Sequence, residues 1–202
     1  MTHKTLSNRV ILSGILMACA VSVTALTPAL HHTRAAAIAP ADECGVECQR
    51  DLARARAATA KYHIESQAFA DGFISTVQCV AAPGLGAMGV HYINPSRMMN
   101  LNVDVTEPET LLYARQPDGT MRLIGLEYYA PVISNGGLWF GDENTPPPAV
   151  DNPAPVLFGR AFDGPMAGHE PGQPWHYDMH VWVWRDNPLG MFFPFNPKVS
   201  CQ

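Results

Sequence analysis

The sequence predicts an α+β domain: one long N-terminal helix packed on a mainly antiparallel sheet or partly closed barrel, with a long Pro/Gly-rich loop. Three observations predict it. Apolar residues recur at spacings of three or four in one early segment. From Val77 onward the pattern changes to short β-branched and aromatic runs separated by turn residues. One helix followed by a series of strands is the order of an α+β fold rather than of alternating βαβ units.

The chain opens on a targeting pattern. Lys4 and Arg9 form a short positive region, Val10 to Leu26 is apolar, and Ala35-Ala36-Ala37 supplies small residues for cleavage. That order is a secretory signal peptide over 1–37, followed by a single domain over 38–202. Leu16-Met17-Ala18-Cys19 offers a lipid anchor through Cys19 as the alternative. Met17 is awkward in such a motif, and the apolar run continues past Cys19, so the signal peptide is preferred. The expected location is periplasmic or extracellular, with no transmembrane segment in the mature chain.

Removing residues 1–37 takes out Lys4, Arg9 and Arg34 and no acidic residue, leaving 10 basic against 18 acidic residues and a formal charge of −8. A chain of that charge, with no basic stripe, excludes nucleic acid and anionic membrane surfaces as natural partners. The expected partner is a small molecule. Cys44, Cys48, Cys79 and Cys201 remain, an even number that suits disulfides in an exported chain. Of the three pairings, Cys79–Cys201 with Cys44–Cys48 is preferred, because it ties the C-terminus to the body and closes one small loop. A redox or metal role for Cys44-Gly45-Val46-Glu47-Cys48 is disfavoured, since the spacing is not the two-residue one of thioredoxin-like or zinc-ribbon motifs.

The helix is predicted near Val46 to Ala70, with Asp42 at its start and Gly72 beyond its end. Leu52, Ala55, Thr59, Tyr62, Ser66, Phe69 and Phe73 form its buried stripe, and Arg50, Arg54, Arg56 and Lys61 fall largely elsewhere. Strands are predicted at Val77 to Val80, Gly86 to Ile93, Thr110 to Ala114, Arg122 to Ala130, Val156 to Arg160 and Tyr177 to Trp184. Gln116-Pro117-Asp118-Gly119 is a turn that joins two of them into a hairpin. Residues 134–174, with Pro146-Pro147-Pro148 at their centre, form the long Pro/Gly-rich loop region. Its last part, Gly164 to Gly172, precedes the final strand and could form a lid or rim over it; a proline-stiffened surface loop with no role is the equal alternative.

The final strand carries the chemistry. In His176-Tyr177-Asp178-Met179-His180-Val181-Trp182 the alternation of a strand places His176, Asp178 and His180 on one face and Tyr177, Met179 and Val181 on the other. Along a regular strand His176 and His180 are roughly 13 Å apart. Two ligands of one zinc ion sit only about 2 Å from the metal, so the pair cannot easily share an ion. The other ligands must come from neighbouring strands. His91 and Glu127 each stand alone as an ionisable group inside an apolar strand, and a buried carboxylate is unfavourable unless paired or bound to a cation.

The candidate metal ligands are therefore His91, Glu127 and His180, with His176 joining only if the chain bends before Asp178. Such a set suits Zn, Cu, Mn or Fe. Glu127 as ligand or general base, and Asp178 as the partner that fixes an imidazole tautomer, are the candidate catalytic residues. Each group also has a structural reading: a strand histidine can be scaffold, Glu127 can pair with Arg122, Arg160 or Lys61, and the methionines can fill the core. The function expected is that of an exported protein with a His/Glu metal site on a sheet, open to metalloenzyme chemistry. The alternative is a metal-free small-molecule-binding or interaction module with structural polar residues. Trp139, Trp175, Trp182 and Trp184 are available to line such a pocket. No HExxH, phosphate-loop or nucleophile-elbow pattern is present.

Ala60-Lys61-Tyr62-His63, Ala87 to Tyr92, Glu127-Tyr128, Gly168 to Gly172, and His176 through Asn187-Pro188-Leu189-Gly190-Met191 to Asn196-Pro197 together span most of the mature chain. They resemble a family of uncharacterised exported bacterial single-domain proteins. The resemblance implies an exported single domain and brings no activity, cofactor or catalytic residue with it.

Overall fold

A computed structural model describes residues 44–201. The predicted signal peptide, the alternative anchor Cys19 and the expected cap Asp42 lie outside the described residues.

The helical segment opens with α1 (Val46–Thr59), which tightens into a 3-10 turn at Ala60–His63 and breaks at Ile64. A second short helix, α2, covers Glu65–Ala70. The expected single helix to Ala70 is thus interrupted. Ile64 takes an extended conformation (φ −96°, ψ 101°) and turns the chain back, so that Asp71 meets Lys61 Nζ at 2.5 Å and Tyr62 Oη at 2.8 Å. The break shifts the helical phase. Leu52, Ala55, Thr59 and Tyr62 are buried as expected, but beyond Ile64 it is Ala68 that faces the core, and Phe69 is exposed. Gly72, at φ +87°, ends α2, and Phe73 N–H donates to Ala68 O at 3.0 Å, the closing bond of a Schellman cap.

The six-stranded sheet comprises β1 (Ile74–Ala82), β2 (Gly86–Ile93), β3 (Thr110–Arg115), β4 (Met121–Pro131), β9 (Asp163–Met166) and β10 (His176–Val181). Its order is β1-β2-β3-β4-β10-β9, every pair is antiparallel, and the sheet is curled. A third helical turn, α3 (Pro95–Met98), follows β2, capped by the Asn94 side chain on Arg97 N–H. The predicted turn closes the β3–β4 hairpin, with Gly119 at φ +85° and its N–H donating to Gln116 O at 2.9 Å.

Within residues 134–174 the chain is not one long loop. It forms the small hairpins β5 (Ile133–Ser134) with β6 (Gly137–Leu138) and β7 (Val156–Leu157) with β8 (Arg160–Ala161), then β9. The expected strand Val156 to Arg160 is the second of these hairpins. Phe158 and Gly159 both take positive φ (53° and 71°), as a two-residue turn requires.

The two faces of the sheet differ in chemistry. Tyr92, Leu111, Leu126, Tyr128, Met179 and Val181 face the helical segment and form the main core with Leu52, Ala55, Tyr62 and Phe73. Arg56 Nε donates to Val183 O at 3.1 Å and Tyr113 Oη donates to Tyr62 O at 2.6 Å, fixing the helical segment to the chain just beyond β10 and to β3. The opposite face has its own small core of Ala87, Leu112, Ala114, Ile124, Trp182 and Val199. The C-terminal segment covers that end. Asn196 exchanges backbone hydrogen bonds with Ala87, and the Cys79–Cys201 disulfide closes the segment onto β1. Cys44 pairs with Cys48, so both preferred disulfides are formed. β10 ends at Val181, short of the expected Trp184, because Trp182 N–H turns away to Met191 O at 2.9 Å.

Candidate metal centre

Strand register assembles the site. His180 lies opposite Glu127 across the β10–β4 pair, and Glu127 lies opposite Thr110 across β4–β3. His91 on β2 lies opposite Leu112, which faces Gly125 on β4, so His91 stands on the same face as Glu127, two strands across and two residues along. His91 Nε2 is 3.4 Å from Glu127 Oε2, and the His91 and His180 rings are 6.2 Å apart and almost perpendicular. One ligand atom from each of His91, Glu127 and His180 lies within 4.8 Å of the others, so the three could hold a metal ion. Two atoms each about 2.05 Å from one tetrahedral ion are about 3.3 Å apart, close to the His91–Glu127 separation.

Burial sets the protonation of this group. His180 is 2% exposed, and neither of its ring nitrogens has a hydrogen-bond partner among the described residues. Burial, then the neighbouring histidines His91, His169 and His176, pushes it down to about 3. Burial pushes His91 down to about 4, with His169 adding to the shift. Glu127 is driven well above the usual carboxylate range, first by burial and then by Asp178 and Glu109, against a hydrogen bond from Thr110. Both shifts favour the neutral form, so burial works against an ion pair at the His91–Glu127 contact. Neutral imidazoles with free lone pairs are the form that binds metal, and a cation would restore the ionised carboxylate. Of the three basic residues offered as partners for Glu127, Lys61 pairs with Asp71 and Arg160 lies over the Phe192 ring, and none forms an ion pair with Glu127 among the described residues.

His176 lies apart from this group. β10 pairs with β4 without a bulge, so the strand never brings His176 back toward His180. Instead it is 1% exposed, stacks on Tyr129 at 4.6 Å, and donates from Nδ1 to Pro174 O at 3.2 Å. Asp178 is also buried, and burial followed by Asp163 raises it to about 7. Its Oδ2 is 4.0 Å from His176 Nε2, beyond hydrogen-bond reach, and His180 has no partner at all. Asp178 fixes neither imidazole tautomer, contrary to the role expected for it.

The polar group floors a cleft of about 350 Å³, lined by His91, Thr110, Glu127 and Tyr129 below and by the His169–Pro174 loop at the rim. None of the four tryptophans lines it. Each donates its indole N–H to the scaffold: Trp139 to Thr145 O, Trp175 to Gly141 O, Trp182 to Phe193 O and Trp184 to Thr59 Oγ1. His63 packs on Trp184 at 4.4 Å, and Glu65 accepts from Tyr92 Oη.

Two residues of the neighbourhood were not among the candidate site residues. His169 sits in a Pro/Gly run with no strand or helix period, yet its ring is 5.1 Å from that of His176. Glu109 is 1% exposed, accepts from Tyr129 N–H at 3.0 Å, and is raised to about 8 by burial. Its one signal was a carboxylate two residues before the apolar run Leu111-Leu112-Tyr113.

Comparisons with known protein families, curated proteins and solved structures give no match for the chain. No helix among the described residues is long and apolar enough to cross a membrane. The two disulfides fit an oxidising compartment.

Proposed function

We propose that the protein is an exported metal-binding protein that holds one divalent transition-metal ion through His91, Glu127 and His180. The observation that carries this reading is His180, a side chain 2% exposed with both ring nitrogens unpartnered beside two other ligand-type groups. Leaving such atoms unpaired in a protein interior is unfavourable by about 1–3 kcal/mol each, and an ion removes that penalty for the ligating nitrogen. Two imidazoles and a carboxylate suit zinc, and also manganese, iron or copper.

Three protein ligands leave coordination positions free, and His91 and Glu127 line an open cleft. That combination supports a metalloenzyme that polarises a substrate oxygen or activates water, more than a closed structural site. Export rests on the N-terminal charge and hydropathy pattern and on the two disulfides. Metal analysis of protein purified without added chelator tests the reading. One equivalent of Zn, Mn, Fe or Cu per chain is expected, falling to background in His180→Ala. Background metal in the wild type after incubation with each of the four ions would overturn it.

A further inference from the structure

The walls of the cleft say what kind of molecule it takes. Beyond the polar floor they are largely apolar: Val80 from β1, Ile93 from β2, Met98 and Met99 at α3, and Pro171 and Pro174 from the rim loop, with Thr76, Gln78 and Gln173 the uncharged polar groups among them. No Lys or Arg is among the lining residues, and the acidic ones are Glu127 and Glu170. Phosphate esters and other polyanions are recognised by cations and clustered N–H donors. The lining holds no Lys or Arg, and the chain as a whole has a formal charge of −5.

The rim is held in place from within. Gln173 Oε1 accepts from the N–H of His169 at 2.7 Å and of Glu170 at 3.2 Å, and Gln173 N–H donates to Glu170 O at 3.0 Å. Pro174 O is in turn held by His176 Nδ1. On the other wall β1 carries a register shift between Ser75 and Cys79, with Val77 at φ +60° pointing into solvent while Thr76 and Gln78 line the cleft. A strained bulge beside a cleft is a common device for aiming side chains at a site. Met99 is 57% exposed and Val80 is 40% exposed, so two apolar wall residues stand open to water. Apolar walls, a few polar groups and an ordered rim are the features of a ligand site formed in advance.

We infer that this cleft binds a small molecule with an apolar body and one oxygen-donor head, the head on the ion at His91, Glu127 and His180 and the body along Val80, Ile93, Met98 and Met99. This rests on the metal-binding function proposed above. A divalent ion balanced by Glu127 alone leaves one positive charge, which a single anionic or strongly polar oxygen group completes.

Calorimetry of zinc-loaded protein with linear alkylhydroxamates, from acetohydroxamate to octanohydroxamate, tests the inference. Affinity is expected to rise up to about fourfold for each methylene until the cleft is filled. Met99→Asp, at an exposed position away from the ligands, should weaken octanohydroxamate at least tenfold and leave acetohydroxamate within twofold. Equal affinities along the series on protein that holds zinc would overturn the inference and leave the metal reading standing. If the wild type holds none of Zn, Mn, Fe and Cu, the metal reading and the placement of the head fail together, and the apolar part of the cleft is read from metal-free protein titrated with 1-hexanol by NMR. Saturable shifts of the Val80 and Ile93 methyls that Met99→Asp removes support the apolar site, and their absence overturns it.

Discussion

Replacing His180 by leucine should make the metal-free protein more stable and the metal-treated protein relatively less so. The side chain is 2% exposed, and both ring nitrogens are without partners. Each unsatisfied buried polar atom is unfavourable by about 1–3 kcal/mol, while an apolar group of similar size carries no such penalty. Taking the lower half of that range for two nitrogens, and about 1 kcal/mol for the change of shape, gives roughly 1–3 kcal/mol in favour of His180→Leu. Excess metal works the other way. An ion bound only by the folded state adds about 4 kcal/mol at a thousandfold over Kd, and the leucine variant, lacking a ligand, gains far less. Thermal unfolding with EDTA and then with excess zinc reads both effects, at about 2–4 °C per kcal/mol for a chain of this size. The variant should melt above the wild type in EDTA and below it in zinc. A variant that melts well below the wild type in EDTA, with a wild type indifferent to zinc, would refute the reasoning and make His180 a structural residue.

The two disulfides should differ in worth. Cys79–Cys201 spans a sequence separation of 122 and Cys44–Cys48 a separation of 4. Loop-closure entropy then gives about 5 kcal/mol for the first and about 2 kcal/mol for the second, so urea unfolding of Cys201→Ser should show more than twice the loss seen for Cys48→Ser. Glu109, raised from 4.5 to about 8, stabilises the fold most below about pH 4.5, and that contribution is lost as pH rises through 8. Glu109→Gln should flatten the decline in stability between pH 5 and 8 by up to about 1.4 kcal/mol per pH unit, and an unchanged slope in chelated protein contradicts this. Burial of His91 acts in the opposite direction: its folded-state value of about 4 lies below the ordinary 6.5, so its stabilisation is present above 6.5 and lost as pH falls through 4. Gly89→Ala should destabilise by about 2 kcal/mol or more in denaturant titration, because its φ is +100° and a Cβ would lie 2.5 Å from Tyr113 O. A neutral result there would mean that β2 and β3 can separate at no cost.

Strand chemistry was the legible part of this chain. Alternation along His176 to Val181 gave the polar and apolar faces that the two sides of the sheet now display. The rise per residue was enough to separate His176 from His180 and to look for ligands at His91 and Glu127. Tertiary effects were not legible. The helix break at Ile64 depends on Asp71 returning to Lys61 and Tyr62, which no local propensity contains. The hairpin at Phe158-Gly159 needed a positive φ at a phenylalanine, a conformation the sequence does not advertise. His169 joins the histidine group through the path of a loop with no periodicity. Asp178 looked like a partner for its strand neighbours. Its contact distance shows that sharing a face at a spacing of two does not make a hydrogen bond.

The most direct test of the metal assignment is a crystal structure of protein incubated with zinc, with anomalous data collected on both sides of the zinc edge. The account predicts one ion at about 2.0–2.2 Å from His91, Glu127 and His180, with a coordination position open to the cleft. No anomalous peak between these three side chains, or a zinc ion held elsewhere while His180 keeps both nitrogens unpartnered, would contradict it.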